Sequence, residues 1–556
     1  MTLLAWAYIS FTCFWWGILF IRLCSSSSKH DQQPAYDLPI TCFIGLAFIG
    51  SVAALASLFV PLGRLAVQVA VILPALITFM RFGYSNSKWK SFIARCRSIA
   101  IVPKLIACTL LVMILVMSVY PIKHPDTLAY HSQLISWIEQ YHVVPGLVHV
   151  SYLYGLQSNW FILCGLFSFS FIDQNALTFI NSTVVSWLII FCCLQVDKVL
   201  RKNQGFLQGF YWVAFLAFIV WTYTAIRLTV TSASPDFVAT MLVLLTAYLF
   251  TQQQWKSDNH WLVILLLCIF TVTVKLSTLP LLLLAIYQLY PLTKTKAAGF
   301  VSISLLILLP FFVRNLITSG HLLFPANLPV LIKPDWSFDS SKLAEINNYI
   351  LSYARFHKPA GAVSSAVMSF PQWVGIWWQD LQLSYKLLLI VVLLSFLILL
   401  IAQKKLSAIP RPTKVLIAVS ITGILFWWLK APDPRFGLGF LLLFPAMVLN
   451  STHQFGGMMI FKSRAAFLLT CWTLIAGITL YTGYRFQRFF AANEWMVPAG
   501  ITLPLETTYY KQVNANIPLT DNATPSLVII SATTPPTFLF RGQSLQQGFK
   551  AKPPKK

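Results

Sequence analysis

Charged residues are scarce in this sequence. They make up 10% of its 556 positions, and only 16 of them are Asp or Glu, whereas an ordinary soluble domain is about 25% charged. Hydrophobic residues make up 57% of the chain. So few charges cannot cover the water-exposed surface of a chain this long, and the composition excludes a soluble globular protein.

Other signals are missing as well. The first apolar segment, residues 3–23, has no basic stretch ahead of it and is too long and too aromatic for a cleaved signal peptide, so we expect a permanent span. No CxxC spacing occurs, and the ten cysteines lie within or beside apolar segments, which favours core packing over disulfides or metal ligation. We find no internal repeat of the kind that many transporters carry.

Long apolar runs are what the sequence does contain. Windows of about 20 apolar residues, the length that crosses roughly 30 Å of hydrocarbon, recur without the alternation of barrel strands. The sequence therefore predicts an all-α polytopic membrane protein with about fourteen transmembrane helices, an interfacial helix and an external loop insertion. The predicted spans are 3–23, 39–61, 64–81, 104–121, 175–196, 206–226, 235–251, 261–274, 277–291, 298–317, 386–402, 415–430, 437–450 and 465–482.

Basic residues predict the sides of the membrane. The loop between the third and fourth spans contains Lys and Arg but no acid, which marks it as cytoplasmic. Alternation then places the later basic clusters on the same side and leaves 122–155, 320–384 and 485–556 outside. Counting the apolar segment 156–172 as a span would invert this order, so we expect a re-entrant or partly inserted helix there. The net charge of +24 thus reflects orientation and lipid headgroups, and nucleic acid is not expected.

Asp126 is the first candidate for chemistry. It follows the fourth span in His124-Pro-Asp126, where a partly desolvated carboxylate can act as general base on a hydroxyl that arrives from outside. The structural alternative is that Asp126 only caps a helix. His124 and His131 flank it, although an isolated interfacial histidine is more often a hydrogen-bonding surface residue.

The stretch after Asp126 has the pattern of a helix lying in the membrane interface. One predicted face is apolar and the opposite face is polar. The apolar face consists of Leu128, Leu134, Ile135, Ile138 and Tyr141, and the polar face consists of Ser132, Gln133, Ser136, Glu139 and Gln140.

Two charged residues mark later span ends. Asp236 lies in Ser-Pro-Asp236 at the external start of a span, where the helix dipole alone would favour an acid. Lys275 lies between two short apolar runs with no acid nearby in the sequence. Ionisable residues at that depth usually face a cavity or a charged partner, although Lys275 could instead snorkel to the interface.

Further basic residues fall at the same predicted face. Arg314 precedes a helix stop at Gly320-His321, and Lys430 and Arg435 flank a turn that two prolines stiffen. Cations that converge at that level suit a phosphate group on a lipid, which Arg can engage through two parallel hydrogen bonds.

In the order of these features, residues 105–440 resemble the GT-C superfamily of membrane glycosyltransferases, particularly bacterial members that use polyprenyl-phosphate-linked sugars. The features are His124-Pro-Asp126 in the first external loop, an interfacial helix, Ser-Pro-Asp236, Val-Lys275-Leu-Ser, Arg314-Asn315 with Gly-His321-Leu-Leu-Phe-Pro, and Pro-Asp-Pro-Arg435-Phe. Three spans precede the usual first one.

The resemblance implies a GT-C-like enzyme that moves a hexosyl or pentosyl group from a polyprenyl-phosphate carrier to a glycan, lipid or protein acceptor. Transfer would occur on the external face of the plasma membrane, in bacteria the inner membrane. Asp126 would be the catalytic base. The first loop lacks the adjacent second acid that many members carry, which weakens a metal-dependent mechanism, so we expect no cofactor and no metal ligand. The substrate-binding candidates are His124, His131, Asp236, Lys275, Arg314, His321, Lys430 and Arg435.

The sequence predicts five regions: an N-terminal three-span block, a catalytic membrane region, an external insertion, a returning membrane block and an external tail. Aromatic residues are frequent in the insertion, where they serve either as headgroup anchors or as sugar-stacking surfaces. The region boundaries are 1–104, 105–320, 321–384, 385–484 and 485–556.

Two rival functions stay open at this point. A transporter or lipid flippase would use the central charges for binding and alternating access, and the two short runs around Lys275 fit that function. The missing repeat and the large insertion count against it. A polysaccharide polymerase or ligase with a lipid diphosphate donor would also suit an external basic cluster.

Overall fold

The computed structural model describes residues 2–24, 36–82, 94, 97–118, 124–169, 179–202, 206–222, 226, 228–252, 260–290, 292–328, 333–356, 368–401, 409–453, 463–491, 538–542 and 545–551. Most of the predicted cytoplasmic loop after the third span, and most of the tail, lie outside these residues. The described part forms eighteen α-helices and one two-stranded hairpin, which confirms the all-α fold class.

The first nine helices are α1 (Thr2–Cys24), α2 (Leu38–Ala56), α3 (Leu65–Phe82), α4 (Ile101–Met117), α5 (Ser132–Gln140), α6 (Asn159–Leu166), α7 (Phe179–Lys202), α8 (Phe206–Trp221) and α9 (Asp236–Thr251). The other nine are α10 (His260–Val274), α11 (Leu282–Gln288), α12 (Lys294–Ser319), α13 (Ser340–Phe356), α14 (Phe370–Asp380), α15 (Leu383–Ile401), α16 (Arg411–Lys430), α17 (Pro434–His453) and α18 (Arg464–Ala491). Short strands β1 (Phe538–Phe540) and β2 (Phe549–Ala551) form the hairpin.

Eight of these helices are long and apolar enough to cross a membrane, namely α1, α2, α3, α7, α12, α15, α16 and α18. The chain is therefore an α-helical membrane protein, as the sequence predicts. Six shorter apolar helices coincide with the other six predicted spans; they are α4, α8, α9, α10, α11 and α17. Length alone does not establish that these six cross, so the count of fourteen stays a prediction.

The segment 156–172 contains a helix too short to span. Helix α6 has eight residues and all of them are buried. At 1.5 Å per residue it is about 12 Å long, less than half of the hydrocarbon thickness. This length agrees with a partly inserted helix, while residues 170–178 lie outside the described part.

Contacts group the predicted cytoplasmic segments at one end of the bundle. Lys198 Nζ lies 2.9 Å from Asp37 Oδ2. The backbone N–H of Ala100 donates to Asp197 Oδ1 at 2.9 Å. Three predicted cytoplasmic segments therefore meet there.

The predicted external segments meet at the opposite end. Gly146 in the first loop donates its N–H to the Ile317 carbonyl near the end of α12 at 2.9 Å. The tail hairpin joins them, because the Phe549 N–H donates to the Pro145 carbonyl at 2.9 Å and the Phe549 ring is fully buried. Helix α12 ends at Gly320, as predicted, and its φ of 76° is left-handed, which favours glycine.

The predicted polar face of the interfacial helix is not at the surface. Ser132, Gln133 and Glu139 are all buried, so the expectation of an amphipathic helix lying in the interface with these residues exposed is wrong. The reason is that protein covers both faces of α5. The turn after α2 hydrogen-bonds it, with the Gly63 N–H on the Glu139 carbonyl, and α6 packs against it at Gly165.

Candidate functional site

Four chain segments place charged side chains at the predicted external end of the bundle. Asp126 stands just before a π-helical turn, Thr127–His131, that leads into α5. Asp236 is the first residue of α9, and Arg435 is the second residue of α17. Lys275 lies between α10 and a 3₁₀ turn, Leu276–Leu281. π-Helical turns occur frequently at functional sites, because they interrupt the regular helix.

These four side chains form one ion-pair cluster. Lys275 Nζ donates to Asp236 Oδ1. Arg435 Nε lies 3.8 Å from Asp236 Oδ2, and Arg435 Nη1 lies 3.6 Å from Asp126 Oδ2. The structure thus brings together the predicted base, the second acid and two of the predicted phosphate ligands, although Asp126 and Arg435 are more than three hundred positions apart in the sequence.

A fifth member of the cluster is Asp433, which sequence reasoning missed. Its Oδ1 accepts the backbone N–H of Arg435 at 3.0 Å, and its Oδ2 accepts the Nε–H of Arg435 at 2.6 Å. The signal was present in the sequence, because Asp followed by Pro is a favoured start of a helix. We call Asp126, Asp236, Lys275, Asp433 and Arg435 the carboxylate–cation cluster.

The cluster holds three carboxylates and two cations. Asp126 is its most open member, with 31% of the side chain exposed, against 16% or less for the other four. A group that approaches from the predicted external side therefore reaches Asp126 first. Its only described ion pair, with Arg435, is longer than a hydrogen bond.

Local structure explains how Lys275 reaches the cluster. The α10 helix stops at Val274, and Lys275 is extended, with φ −153° and ψ 121°. The break turns its side chain toward Asp236 and across the Phe436 ring, whose centroid lies 3.9 Å from Nζ. Ser277 hydroxyl donates to the Phe436 carbonyl at 2.8 Å and ties this break to α17. Lys275 therefore does not snorkel; its ammonium faces a carboxylate and an aromatic ring inside the protein.

Asp126 makes no capping hydrogen bond. A backbone N–H next to it, that of Thr127, instead lies 3.3 Å from Nδ1 of the His124 ring. The helix-cap alternative for Asp126 is therefore not what the structure contains, and its carboxylate is available to Arg435 and to the open side of the cluster.

Both neighbouring histidines are buried, so their interpretation as surface residues is wrong. The exposed fraction is 3% for His124 and 2% for His131, and their ring centroids are 5.7 Å apart. Burial lowers the pKa of His124, with the Asp126 charge acting in the opposite direction, and burial also lowers the pKa of His131. His131 Nδ1 lies 3.1 Å from Thr127 Oγ1. Neutral imidazoles thus form the inner wall of the cluster.

Three predicted site residues lie elsewhere. Arg314 donates from Nε to Gln157 Oε1 at 2.7 Å and from Nη1 to Ser57 Oγ at 2.9 Å. His321 Nε2 donates to the Phe338 carbonyl at 2.9 Å and holds the start of the insertion. Lys430, the last residue of α16, is exposed. None of the described ion pairs of the cluster involves these three residues.

The insertion predicted at 321–384 reaches the cluster through α13. The centroid of the Tyr353 ring lies 5.8 Å from Arg435 Cζ. Burial raises the pKa of Tyr353, while the Arg435 charge lowers it and Asp126 raises it, so the phenol faces both groups. Trp373 and Trp377 of α14 are buried instead, which gives them a packing role. Neither headgroup anchoring nor sugar stacking therefore describes every aromatic residue of the insertion.

The family model described as "Domain of unknown function (DUF8201)" matches residues 1–442. The chain belongs to this family. Neither the curated proteins nor the solved structures contain a match to the chain. The matched region includes all five residues of the carboxylate–cation cluster, whereas the tail hairpin lies beyond it.

In the part of the chain that the structure describes, no group of three or more His, Cys, Asp or Glu side chains is arranged to hold a metal ion. Within the cluster, Arg435 lies within 3.8 Å of all three carboxylates. What this arrangement can do is hold an anionic group against Arg435 while Asp126 accepts a proton beside it.

Proposed function

We propose that this member of the DUF8201 family is a GT-C-type glycosyltransferase that transfers a sugar from a polyprenyl-phosphate carrier to an acceptor on the external face of the plasma membrane. The observation that carries the proposal is the pairing of an open carboxylate, Asp126, with a positioned guanidinium, Arg435, 3.6 Å away. Both lie at the end of the bundle that groups the predicted external segments.

Asp126 is the base in this proposal. The acceptor hydroxyl gives its proton to the Asp126 carboxylate while its oxygen bonds to the anomeric carbon of the donor sugar. The bond between that carbon and the phosphate oxygen breaks, and the phosphate leaves with the electron pair. A general base contributes typically about 10² to 10⁴ in rate.

Arg435 is the main ligand of the leaving phosphate. Charge builds on the phosphate as the bond breaks, and a fixed donor at that point stabilises the transition state more than the ground state. Lys275 is already hydrogen-bonded to Asp236, so its role is to balance the charge of that acid and to add positive potential behind Arg435. The apolar helices around the cluster suit a carrier with an isoprenoid chain.

The GT-C fold with fourteen spans is part of this proposal. It is supported by the coincidence of the six shorter apolar helices with the remaining predicted spans. It also agrees with the grouping of loops at two ends of the bundle. Cysteine labelling from either side of sealed membranes, at residues 90 and 345 on a cysteine-free background, would test the orientation.

A transporter or lipid flippase is the second candidate, and one observation favours it. The chain is extended at Lys275 between α10 and the following 3₁₀ turn. Interrupted helices with a charge at the break commonly form the substrate sites of transporters. A transporter would move the sugar lipid without cleaving it, whereas the proposed enzyme consumes it.

The deciding experiment compares membranes with and without the intact gene. Lipid-linked sugar pools and glycan composition are both measured by mass spectrometry. The proposed enzyme predicts that its loss accumulates intact donor and removes one sugar from a glycan. Accumulated donor that a membrane-impermeant reagent detects only in the inner leaflet would support transport and contradict the proposal.

A further inference from the structure

Asp433 is the carboxylate of the cluster that hydrogen-bonds the Arg435 guanidinium. Its side chain is 2% exposed, and its two oxygens take the backbone N–H and the Nε–H of Arg435 at 3.0 and 2.6 Å. Asp126 and Asp236 stand 3.6 and 3.8 Å from the same group. Since N–H···O hydrogen bonds extend to about 3.2 Å, these two only add charge.

The turn that carries Asp433 is itself held from two sides. Trp377 Nε1–H, from the insertion helix α14, donates to the Pro432 carbonyl at 2.8 Å. Trp427 Nε1–H, from α16, donates to the Asp433 carbonyl at 2.6 Å. Both indoles are buried, and prolines on either side of Asp433 restrict its backbone. The backbone that carries the Asp433 carboxylate is therefore held in place.

The hydrogen bond from Arg435 Nε to Asp433 fixes the orientation of the whole guanidinium, because that group is planar. Nε is held by Asp433, the side chain of Tyr353 also hydrogen-bonds Arg435, and Nη1 lies 3.6 Å from Oδ2 of the open carboxylate of Asp126. We propose that Asp433 is a positioning residue, which aims the Nη edge of Arg435 at the phosphate of the donor lipid. The role rests on the proposed function, and Asp433 itself does not touch the substrate.

A purely structural role for Asp433 also exists, because it caps the start of α17 through the Arg435 N–H. Asn separates the two roles. Its side-chain oxygen can keep the cap, since Asn and Asp cap helices about equally well. Its NH₂ group would replace Oδ2 and meet the Nε–H donor to donor, so the guanidinium would lose its anchor. Asp433→Asn should therefore fold normally with Arg435 released.

The test measures binding of a polyprenyl monophosphate to the full-length protein in nanodiscs. Asp433→Asn should weaken binding about tenfold, which corresponds to about 1.4 kcal/mol, because the guanidinium loses its hydrogen-bonded anchor. Arg435→Lys should weaken it similarly, and the double variant should add little, because Asp433 acts through Arg435. Asp433→Glu should restore part of the loss. The matched control is Asp335→Asn, which removes an exposed acid that pairs with Arg541 of the tail hairpin.

Three outcomes would overturn the positioning role. One is equal lipid binding by wild type and Asp433→Asn. Another is a loss that adds fully to that of Arg435→Lys, because Asp433 would then act on its own. The third is a fall in melting temperature that parallels the loss of lipid binding, because Asp433 would then act only as the helix cap of α17. If the wild type binds no polyprenyl phosphate and turns over no donor, the proposed function fails together with the ligand assigned here, whereas binding without an Asp433 effect defeats only this inference.

Discussion

Arg435 and Arg314 are both largely shielded from solvent, but their electrostatic surroundings differ. Arg435 has three carboxylates within 3.8 Å, one of them partly open to the outside. Arg314 is 4% exposed, and it donates hydrogen bonds to a neutral amide and a neutral hydroxyl, those of Gln157 and Ser57. From the sequence, both looked equally suited to a lipid phosphate.

The different surroundings of Arg435 and Arg314 indicate different roles for the two side chains. At Arg435, Asp126 and Asp236 lie beyond hydrogen-bond distance, so an anion can approach the guanidinium more closely than either of them. At Arg314 the side chain ties three segments together, the end of α2, the loop before α6 and α12. The first arrangement suits a ligand, and the second stabilises the bundle.

The largest expected effect concerns the open carboxylate beside Arg435. Asp126→Asn should lower turnover about 10² to 10⁴-fold, because Asn cannot accept the proton of the acceptor. Folding should be unchanged, since Asp126 makes no capping hydrogen bond and is partly exposed. Product formation from a panel of polyprenyl-phosphate hexoses and pentoses checks this, with melting in detergent measured alongside. Near-normal turnover would remove Asp126 from catalysis.

Arg435→Lys should have the next largest effect. Lysine keeps the charge but lacks the planar fork, so it cannot hold Asp433 through Nε and a phosphate through the Nη edge together. We expect the KM for the donor to rise about tenfold, with the KM for the acceptor little changed. Steady-state kinetics with donor and acceptor varied separately measure both. An unchanged donor KM in Arg435→Lys would show that the geometry of the guanidinium is irrelevant, and the contrast with Arg314 would no longer hold.

Arg314→Gln should reverse that pattern. The change leaves Gln157 and Ser57 without their charged donor, and unpaired buried polar groups cost about 1–3 kcal/mol. We expect a lower melting temperature and a normal donor KM in the protein that remains folded. Lys430→Gln is the matched control, because it removes an exposed cation. A raised donor KM at unchanged melting temperature would return Arg314 to the substrate site.

Much of the fold follows from the sequence, since each predicted span coincides with a helix. Long apolar runs determine helices wherever backbone groups must be satisfied inside hydrocarbon. Amphipathic pattern was a poorer guide at α5, because the sequence does not say whether protein or water covers the polar face. Gln133 is the clearest case, as it lies fully buried.

The site was partly predictable for a related reason. Asp126, Asp236, Lys275 and Arg435 are charges at the predicted external ends of apolar runs, and helix ends at one level bring them close. Arg314 has the same sequence pattern but faces a neighbour that only the packing reveals. Asp433 does not follow from the sequence, because the two prolines beside it are sufficient to explain the turn and only the structure shows its side chain on Arg435.

The smallest expected effect tests the closed side of the cluster, where His131 resembles Arg314 in being enclosed. Burial lowers the pKa of His131 in the folded chain, whereas an unfolded chain titrates near 6.5. Below about pH 6.5 the unfolded state therefore binds a proton that the folded state does not, and folding stability falls as the pH decreases. The melting temperature should drop between about pH 6.5 and 5.

The variant His131→Asn can keep the contact with Thr127, and its melting temperature should drop less steeply over the same range. His124 accounts for part of the remaining slope. The matched control His142→Asn removes an imidazole from the loop after α5, where its ring contacts the Val143 carbonyl. Equal slopes in wild type and His131→Asn would mean that the imidazole reaches water, and that this wall of the cluster is as open as the Asp126 side.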